Sequence, residues 1–253
     1  MTHFSADDMR QIGEINISPI GLGTVKFGRN TNVKYPHPFD LPSLRDLRVF
    51  LDLAHALGVN FIDTAPAYGE SENRLGQLIA KQRHHWIIST KVGEDYQGSS
   101  VFNFSSKHTR LSIEKSMKKL RTEYLDIVFI HCNDNDLENL RSTDVISSLR
   151  VMQEKGYIRY IGASTKTLAG GSYAIDNTDL VMVSNTSSQL PILEKAHTKK
   201  KPTIIKKPLQ SGFSTNIHSS IKKALAHPSV ASIIVGSINK AHLRDNIKYA
   251  TSL

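Results

Sequence analysis

Four side chains that could carry proton-transfer chemistry follow three hydrophobic runs of the chain. Asp63 and Tyr68 come where the run at 59–64 ends, Lys91 follows "WIIST", and His131 follows "LDIVFI". A phenol, with an ordinary pKa of about 10, is a weak proton donor at neutral pH unless a nearby cation stabilises its anion. Lys91 could supply that cation, Asp63 could hold Lys91 in place, and His131 could orient the carbonyl that accepts the proton. The set predicts acid–base chemistry at a carbonyl oxygen.

Each of the four residues has an ordinary structural explanation when it is taken alone. An aspartate can cap a helix, a tyrosine can pack its ring, a lysine can end a strand in solvent, and a lone histidine is more often structural than catalytic. Four polar groups at the ends of three consecutive strands are harder to explain in that way together. Competing constellations fail: Cys132 adjoins His131, but neighbouring strand residues point to opposite faces, and the pair His84–His85 lacks zinc-ligand spacing.

The elements that must position these residues alternate along the whole chain. Eight runs are almost continuously hydrophobic, which predicts strands buried on both faces of a parallel sheet, at 19–25, 59–64, 86–90, 125–130, 158–164, 180–184, 202–206 and 231–237. Apolar residues at helical spacing lie between them, at 43–58, 106–121, 143–156 and 240–250 and, less regularly, at 70–82, 166–176, 188–197 and 217–226.

Eight strands, each followed by a helix, predict an α/β fold of the (β/α)8 TIM-barrel type, which typically needs about 250 residues. We expect one barrel domain over residues 1–253, because no linker or change of composition divides the chain. The segment 10–18 predicts a short N-terminal β-hairpin that plugs the bottom of the barrel, and no long C-terminal loop is expected. A doubly wound sheet uses the same βα units and is the alternative.

Composition limits the setting and the partners. Hydrophobic residues make up 39% of the 253 residues and charged residues 22%, as in soluble globular proteins. No apolar run approaches the roughly 18–20 residues that span a bilayer, and the polar N-terminus has no signal-peptide pattern. The single cysteine, Cys132, cannot form a disulfide within the chain, which fits a cytoplasmic setting. We also expect a monomer that does not associate with membranes. The net charge of +9 is scattered and lacks a nucleic-acid-binding motif, so no nucleic-acid partner is predicted.

The motifs around the four polar residues resemble those of the aldo-keto reductase family. The matching segments run in the family's order over nearly the whole chain: "GLGTVKFG" (21–28), "NFIDTAPAYGESENRLG" (60–76), "STKVG" (89–93), "LDIVFIH" (125–131), "IRYIGAS" (158–164) and "HLRDN" (242–246). The resemblance implies a (β/α)8 barrel enzyme that reduces aldehydes and ketones with NADPH. NADH is the alternative cofactor. It also implies that Tyr68 is the general acid/base and that Asp63, Lys91 and His131 complete a catalytic tetrad.

A cofactor site is implied by the same resemblance. Ser164 and Thr165 match positions that hold the nicotinamide amide, the loop 206–212 matches the one over the pyrophosphate, and the segment 236–246 matches the adenosine site. The residues implied are Gly23, Thr24, Asp63, Ser164, Thr165, Lys206, Lys207, Pro208, Leu209, Gln210, Ser211, Ser237, Ile238, Asn239, His242, Asp245 and Asn246. Taken alone, "GLGTVKFG" lacks the G-x-G-x-x-G spacing and these loops would be ordinary turns.

Three positions depart from the family's pattern. Lys206 stands where an aromatic residue commonly stacks on the nicotinamide, Met182 where a glutamine often binds the carboxamide, and His242 where a basic residue commonly pairs with the 2′-phosphate. These departures concern cofactor affinity and the preference for NADPH, and they leave a second hypothesis open. The protein could be a cofactor-binding regulatory or sensor protein on the same fold, with little turnover. An unrelated barrel isomerase or hydrolase remains only if the motifs are accidental.

The expected substrate is a small carbonyl compound, preferably a polar aldehyde or a sugar. Cys132 and the following "NDND" (133–136) predict a polar rim that could hydrogen-bond hydroxyl groups, and the short C-terminal region leaves out a loop that shapes apolar pockets. The arrangement resembles short bacterial family members described as sugar dehydrogenases. No metal is expected, because polarisation of the carbonyl is assigned to Tyr68 and His131.

Overall fold

The strands of the chain close into a parallel barrel in the computed structural model, which describes residues 2–252. In chain order they are β1 Arg10–Ile12, β2 Ile15–Ile17, β3 Ile20–Gly23, β4 Phe61–Asp63, β5 Ile87–Val92, β6 Glu94–Tyr96, β7 Ser100–Phe102, β8 Leu125–His131, β9 Ile158–Ser164, β10 Leu180–Ser184, β11 Thr203–Lys206 and β12 Val230–Val235. The barrel runs β3, β4, β5, β8, β9, β10, β11, β12, and β12 pairs in parallel with β3 to close it. Closure confirms the (β/α)8 prediction and excludes the doubly wound sheet.

Helices follow every barrel strand. They are α1 Val25–Gly28, α2 Leu44–Ala56, α3 Ser71–Ile79, α4 Ser106–Leu120, α5 Asp136–Arg141, α6 Val145–Glu154, α7 Leu168–Asn177, α8 Leu190–Thr198, α9 Ile217–Leu225 and α10 Lys240–Thr251. Several begin at a side-chain cap: the hydroxyl oxygens of Ser43, Ser105 and Thr167 accept hydrogen bonds from backbone N–H groups of α2, α4 and α7. Helix α10 ends at Thr251, so only Ser252 follows it among the described residues.

Two hydrophobic cores hold these elements together. The larger one fills the layer between the strands and the helices, and the second fills the barrel interior, where Phe61 and Phe129 are fully buried. Hairpin β1–β2 contributes Ile12, Ile15 and Ile17 to the interior core. The hairpin is also tied to the start of β12, since a guanidinium nitrogen of Arg10 donates to the Val230 carbonyl at 2.6 Å. The predicted plug at the barrel's bottom is therefore confirmed.

The sequence predicts every barrel strand and its main helix, but three elements were not expected. These are the short helices α1 and α5 and the antiparallel hairpin β6–β7, which follows β5 and pairs Glu94 with Phe102. This hairpin lies beside the turn Pro66–Tyr68 and so reaches the barrel's upper rim. In the part of the chain that the structure describes, no helix has the length and apolar character to cross a membrane.

Candidate active site

The four residues singled out by the sequence converge on one cavity at the C-terminal ends of the strands. Asp63 ends β4, Tyr68 lies in the 3-10 turn that follows, Lys91 lies near the end of β5, and His131 ends β8. All four line a cavity of about 760 Å³, which is within the range of roughly 300–1,000 Å³ for ligand pockets. The barrel topology brings them together because the ends of parallel strands share one rim.

Asp63 and Lys91 form a buried ion pair. Lys91 Nζ donates to Asp63 Oδ1 at 2.7 Å, to Asp63 Oδ2 at 2.8 Å and to the Thr64 carbonyl at 2.8 Å. Asp63 Oδ1 also accepts a hydrogen bond of 2.7 Å from Ser89 Oγ. With three acceptors around one ammonium group, the lysine head is fixed and its charge is largely balanced by the carboxylate.

Tyr68 lies beside this pair, with Lys91 Nζ 4.9 Å from the centre of its ring. Burial raises the pKa of Tyr68 well above its ordinary value, and the charge of Asp63 raises it further. The expectation that Lys91 lowers this pKa is therefore not met. Burial, and after it the carboxylate of Asp63, set the direction of this shift.

Tyr68 is held in position by contacts between its turn and α1. The Gly28 carbonyl accepts a hydrogen bond of 3.2 Å from Glu70 N, and the Ala67 carbonyl accepts one of 3.0 Å from the Arg29 guanidinium. Gly69 has φ +62°, a conformation that favours glycine, and its Cα approaches Gly28 so closely that an added Cβ would overlap the Gly28 carbonyl oxygen. The two glycines thus allow α1 to support the turn that carries the phenol.

His131 contacts a carboxylate that the sequence analysis missed. Its Nδ1 lies 2.7 Å from Glu94 Oε2, a contact that is an ion pair only when the imidazole is protonated and whose angles are poor for a well-aligned hydrogen bond. Its ring stands edge-on to that of Tyr68 with the centres 6.4 Å apart. Burial lowers the pKa of His131. Burial alone would raise the pKa of Glu94, but the contacts with His131 and Ser100 lower it to about 2.

The same cavity extends to the loops after β11 and β12, where the cofactor site was predicted. Its walls include many of the predicted cofactor residues: Gly23, Asp63, Ser164, Lys206, Lys207, Pro208, Leu209, Ser211, Ser237, His242 and Asn246. Six others lie outside the lining: Thr24, Thr165, Gln210, Ile238, Asn239 and Asp245. Thr24 donates its hydroxyl to the Asp63 carbonyl at 2.9 Å, and Asn239 caps α10 through its side-chain oxygen.

Lys206 points to the residues predicted to hold the nicotinamide amide rather than to the phosphate loop. Its Nζ donates to Ser164 Oγ and to the Thr165 carbonyl, both at 2.8 Å. Burial lowers the pKa of Lys206 to about 7, and the neighbouring charge of Lys207 contributes. Near neutral pH this amine therefore exists in both charge states, unlike an ordinary surface lysine.

The residues around the cavity fit a nicotinamide dinucleotide. Lys207, Gln210 and Ser211 have φ values of 53°, 51° and 60°, an uncommon backbone conformation that clusters at functional sites. Lys207 is exposed and unpaired among the described carboxylates, so it could offset phosphate charge. The buried hydroxyl of Thr165 has no hydrogen-bond partner among the described groups, which leaves a polar atom beside the predicted amide position.

The cavity wall also differs from the sequence-based expectation at its outer side. The predicted rim at 133–136 does not line it: Asp136 is buried and accepts hydrogen bonds from the backbone N–H groups of Lys166 and Thr167. Polar groups come instead from hairpin β6–β7, through Glu94 and Ser100, and from the segment 26–39. In that segment Lys26 Nζ lies 4.3 Å from the ring centre of Tyr35 and 4.8 Å from that of Phe39.

These missed residues had weak signals in the sequence. Glu94 is charged and follows a strand end, as the tetrad residues do, and "KYPHPF" at 34–39 combines prolines with aromatic residues in a loop. Cys132 lines the cavity, but burial raises the pKa of its thiol to about 12, so it is not a ready nucleophile. Among residues 2–252 no group of three or more histidine, cysteine, aspartate or glutamate side chains could hold a metal ion.

Comparison with known proteins agrees with this geometry. Residues 19–223 match the model of the aldo/keto reductase family. The chain is 28% identical over 296 residues to an L-galactose dehydrogenase of Arabidopsis thaliana, covering 97% of this chain and 89% of that protein. It is 33% identical over 157 residues to a D-arabinose 1-dehydrogenase of Saccharomyces cerevisiae, which covers 59% of this chain and 43% of that one.

Among solved structures, the chain is similar to a crystal structure of an aldo-keto reductase of Pseudomonas aeruginosa. The two share 42% of their residues and superpose with a TM-score of 0.91, over 99% of this chain and 96% of the other. Aldo-keto reductases act on small carbonyl substrates with nicotinamide cofactors, mainly NADPH. This chain therefore belongs to the aldo/keto reductase family and is an NAD(P)H-dependent oxidoreductase.

Proposed function

We propose that this protein interconverts a polar carbonyl compound and its alcohol with NADPH, and that Tyr68 is the general acid/base. The observation that carries the proposal is the single cavity. It joins Tyr68, Lys91 and His131 to the loops after β11 and β12 without an intervening wall. A substrate carbonyl at the tetrad and a dinucleotide along the loops could therefore occupy one continuous space.

The chemistry of the site depends on which of its groups carry a proton. A bound NADPH supplies the hydride. Tyr68 keeps its proton at neutral pH because burial raises the pKa of its phenol. It can therefore donate that proton to the substrate's carbonyl oxygen as the C=O double bond becomes a single bond. The Lys91 ammonium, 4.9 Å from the ring centre, then stabilises the phenolate that is left.

The Asp63–Lys91 pair has a positioning role in this proposal. Asp63 binds the ammonium through both carboxylate oxygens, which prevents Lys91 from turning into the cavity. In the oxidative direction the phenol must lose its proton first. Since burial opposes that loss, oxidation of an alcohol should accelerate as pH rises, whereas Tyr68 itself should not limit reduction between pH 6 and about 9.

A polar substrate is supported by the wall opposite the barrel centre. Glu94, Ser100 and Lys26 contribute charged or hydroxyl groups there, where a purely apolar pocket would exclude sugars. The similar proteins named L-galactose dehydrogenase and D-arabinose 1-dehydrogenase support a hydroxylated substrate as well. We therefore place aldoses and small hydroxy aldehydes first among the candidates.

A direct test is to titrate the pure protein with NADPH and NADH and to screen aldehydes, ketones and sugars by nicotinamide absorbance. Saturable turnover of a hydroxylated carbonyl compound with NADPH is expected. Binding of the cofactor without turnover of any carbonyl compound would instead favour a regulatory or sensor protein. That second candidate is supported by Lys206 and Met182, which replace the usual nicotinamide contacts. Failure to bind either cofactor would overturn both.

A further inference from the structure

Lys206 places an amine in the active-site cavity that the proposed mechanism does not use. The residue ends β11 and lines the same cavity as Tyr68 and His131. Its charge lowers the pKa of His131, so the two groups are close enough to interact across the cavity. A carbonyl compound that binds at the tetrad therefore shares its space with a primary amine, the group that converts aldehydes into imines.

Two hydrogen bonds fix the head of Lys206 and leave one position of its nitrogen open. Nζ donates to Ser164 Oγ and to the Thr165 carbonyl, both at 2.8 Å, and makes no third hydrogen bond within residues 2–252. Of the four tetrahedral positions of this nitrogen, one holds the side chain and two point at these acceptors. The fourth holds a third hydrogen in the ammonium form and the lone pair in the neutral amine. The two acceptors can therefore hold the neutral amine with its lone pair free to react.

The surroundings of Lys206 disfavour its charged form. Within residues 2–252 no carboxylate forms an ion pair with its Nζ, whereas the buried Lys91 is paired with Asp63. The titratable groups that face it are Lys91, His131, Cys132, Lys166 and Lys207. None of these five is an anion near neutral pH, since burial raises the pKa of the thiol to about 12. An amine placed among cations without a carboxylate partner loses its proton easily.

The pKa of Lys206 agrees with this arrangement. Burial, and after it the charge of Lys207, lower it to about 7. Near that pH about half of the Lys206 amines are neutral, compared with about one in 2,500 for an ordinary lysine. A lysine becomes a nucleophile at neutral pH through desolvation or through a neighbouring cation, and Lys206 has both.

We propose that Lys206 is a nucleophile that condenses with aldehydes to form an imine in the cofactor-free protein, and that a bound nicotinamide cofactor excludes this reaction. The inference goes beyond the proposed function, because it involves no hydride transfer from a cofactor. Exclusion is expected because Ser164 and Thr165, which hold the amine, are the residues predicted to hold the nicotinamide amide. Aldehyde and cofactor then compete for one part of the cavity.

The reaction at Lys206 needs no other reagent than the aldehyde and water. The lone pair of Nζ forms a bond to the carbonyl carbon, the C=O π bond breaks, and one proton moves from nitrogen to the former carbonyl oxygen. The resulting carbinolamine takes up a proton from solvent on its hydroxyl group and loses water, which leaves a positively charged iminium ion. No oxidation or reduction occurs, so water reverses the reaction and releases the aldehyde.

Reductive trapping of the cofactor-free protein at pH 7 tests the proposal. Glycolaldehyde supplies the carbonyl group, and sodium cyanoborohydride reduces the iminium ion to a stable secondary amine, which adds one hydroxyethyl group to the lysine. Peptide mapping by mass spectrometry should locate this group on Lys206. A less basic amine is a weaker nucleophile, which offsets part of its larger neutral fraction. We therefore expect Lys206 to react faster by a factor of about ten or more than Lys81, an exposed lysine outside the cavity.

Two controls identify the site and its relation to the cofactor. Lys206→Met should lose the fast labelling, and Lys81→Met, which makes the same change at the exposed position, should keep it. Saturating NADP+ should suppress the labelling of Lys206 and leave that of Lys81 unchanged. Binding of NADP+ is measured separately by isothermal titration, so that its occupancy is known.

The outcomes separate this inference from the proposed function. Labelling of Lys206 in the parent no faster than that of Lys81 overturns the inference, and this measurement decides even if Lys206→Met does not fold. Fast labelling that persists with NADP+ bound also overturns it, because the cofactor then does not exclude the aldehyde. If NADP+ and NADPH do not bind while Lys206 reacts fast, the proposed function is rejected and the nucleophilic lysine is supported.

Discussion

The hydroxyl group of Tyr68 is the most direct target for a test at the scale of a single residue. Tyr68→Phe deletes that group and keeps the ring, so packing against Lys91 and His131 should survive. Without the proton donor, the alkoxide formed at the carbonyl is not neutralised in the site. Loss of general acid catalysis typically costs about 10²- to 10⁴-fold in rate. We therefore expect kcat to fall by that order while the Kd for NADPH stays within about twofold.

Tyr35→Phe is the matched control for this measurement. Tyr35 lines the same cavity, and burial raises the pKa of its phenol too, but it is not assigned to catalysis and should leave kcat nearly unchanged. The assignment of Tyr68 is falsified if Tyr68→Phe, folded and bound to cofactor, reduces its best substrate within a few-fold of the parent rate. Lys91→Met is a poorer test, because it leaves the buried carboxylate of Asp63 unpaired, at a cost of about 3–5 kcal/mol in stability.

A second prediction at the scale of a single residue concerns Lys206, whose charge should affect the binding of NADP+ and NADPH differently. The pKa of Lys206, about 7 through burial, makes the amine cationic below that pH and neutral above it. If its partners Ser164 and Thr165 hold the nicotinamide amide, the cation repels the positive ring of NADP+ and leaves the neutral ring of NADPH unaffected. The ratio of Kd for NADP+ to Kd for NADPH should therefore be larger at pH 6.5 than at pH 8.5, by about fourfold at most.

Fluorescence titrations of both cofactors at the two pH values measure this ratio. Lys206→Met should remove its pH dependence. Lys207→Met, at the neighbouring exposed lysine, should retain a pH dependence that is shifted to higher pH, because the charge of Lys207 helps to lower the pKa of Lys206. The phosphates are common to both cofactors, so their interactions cancel. A ratio that does not change with pH in the parent, or a change that persists in Lys206→Met, would contradict the prediction.

At this scale the sequence predicted which four polar side chains converge on one cavity, but not their electrostatic states. Tyr68, Asp63, Lys91 and His131 could be found because each stands at a strand end and the barrel brings strand ends together. The direction of the pKa shift of Tyr68 depends first on its burial and then on the charge of Asp63, and both follow from the three-dimensional arrangement. The partner of His131 could not be found either, because it lies on a hairpin with no clear signal.

Among the structural elements, the contact between α1 and the turn Pro66–Tyr68 bears most directly on catalysis. A Cβ at Gly28 would overlap Ser71 N and lie 2.5 Å from the Tyr68 carbonyl oxygen, both backbone atoms that cannot rotate away. Gly28→Ala should therefore push the turn outwards. We expect a loss of about 2–3 kcal/mol in unfolding free energy, or roughly 4–12 °C in Tm. A shift of the phenol by a fraction of an ångström should also lower kcat tenfold or more.

Thermal unfolding and steady-state kinetics on the same preparation check both effects. Gly156→Ala is the control, since Gly156 has φ +81° and an added Cβ would meet nothing within 4 Å. It should cost about 1–2 kcal/mol through left-handed strain and leave kcat unchanged. Equal kcat values for Gly28→Ala and the parent would show that α1 does not position the phenol.

The success of the sequence in predicting elements depended on their length and hydrophobicity. Strand β8 is buried along nearly all of its seven residues, and α2 has apolar residues on one face and a serine cap, so both patterns are strong. Strands β6 and β7 have three residues each and no buried side chain, so neither periodicity nor hydrophobicity marks them. Their pairing is visible only in three dimensions, although β6 carries Glu94.

The charge of the whole molecule bears on the choice of cofactor. The formal net charge is +9, and Lys206, Lys207 and His242 line the part of the cavity predicted for the dinucleotide. NADPH carries a 2′-phosphate with a charge of about −1.5 to −2 that NADH lacks, as any phosphate monoester does near neutral pH. A cationic protein should attract the more negative cofactor more strongly, and salt should weaken that attraction.

We therefore expect tighter binding of NADPH than of NADH at low salt, with a margin that shrinks as ionic strength rises from about 0.02 M to 0.5 M, where the Debye length falls to a few ångström. His242→Gln should reduce the preference for NADPH over NADH by about threefold to tenfold, roughly the worth of one hydrogen bond. It should weaken the binding of NADPH alone, because NADH has no 2′-phosphate to contact. His218→Gln, at a histidine outside the cavity lining, keeps the same change of residue type and should have no effect on either Kd. Isothermal titration with both cofactors at the two salt concentrations measures all of these constants. Three results would each contradict a 2′-phosphate site at this position. They are equal affinities for the two cofactors at low salt, a preference for NADH, and an equal loss of affinity for both cofactors in His242→Gln.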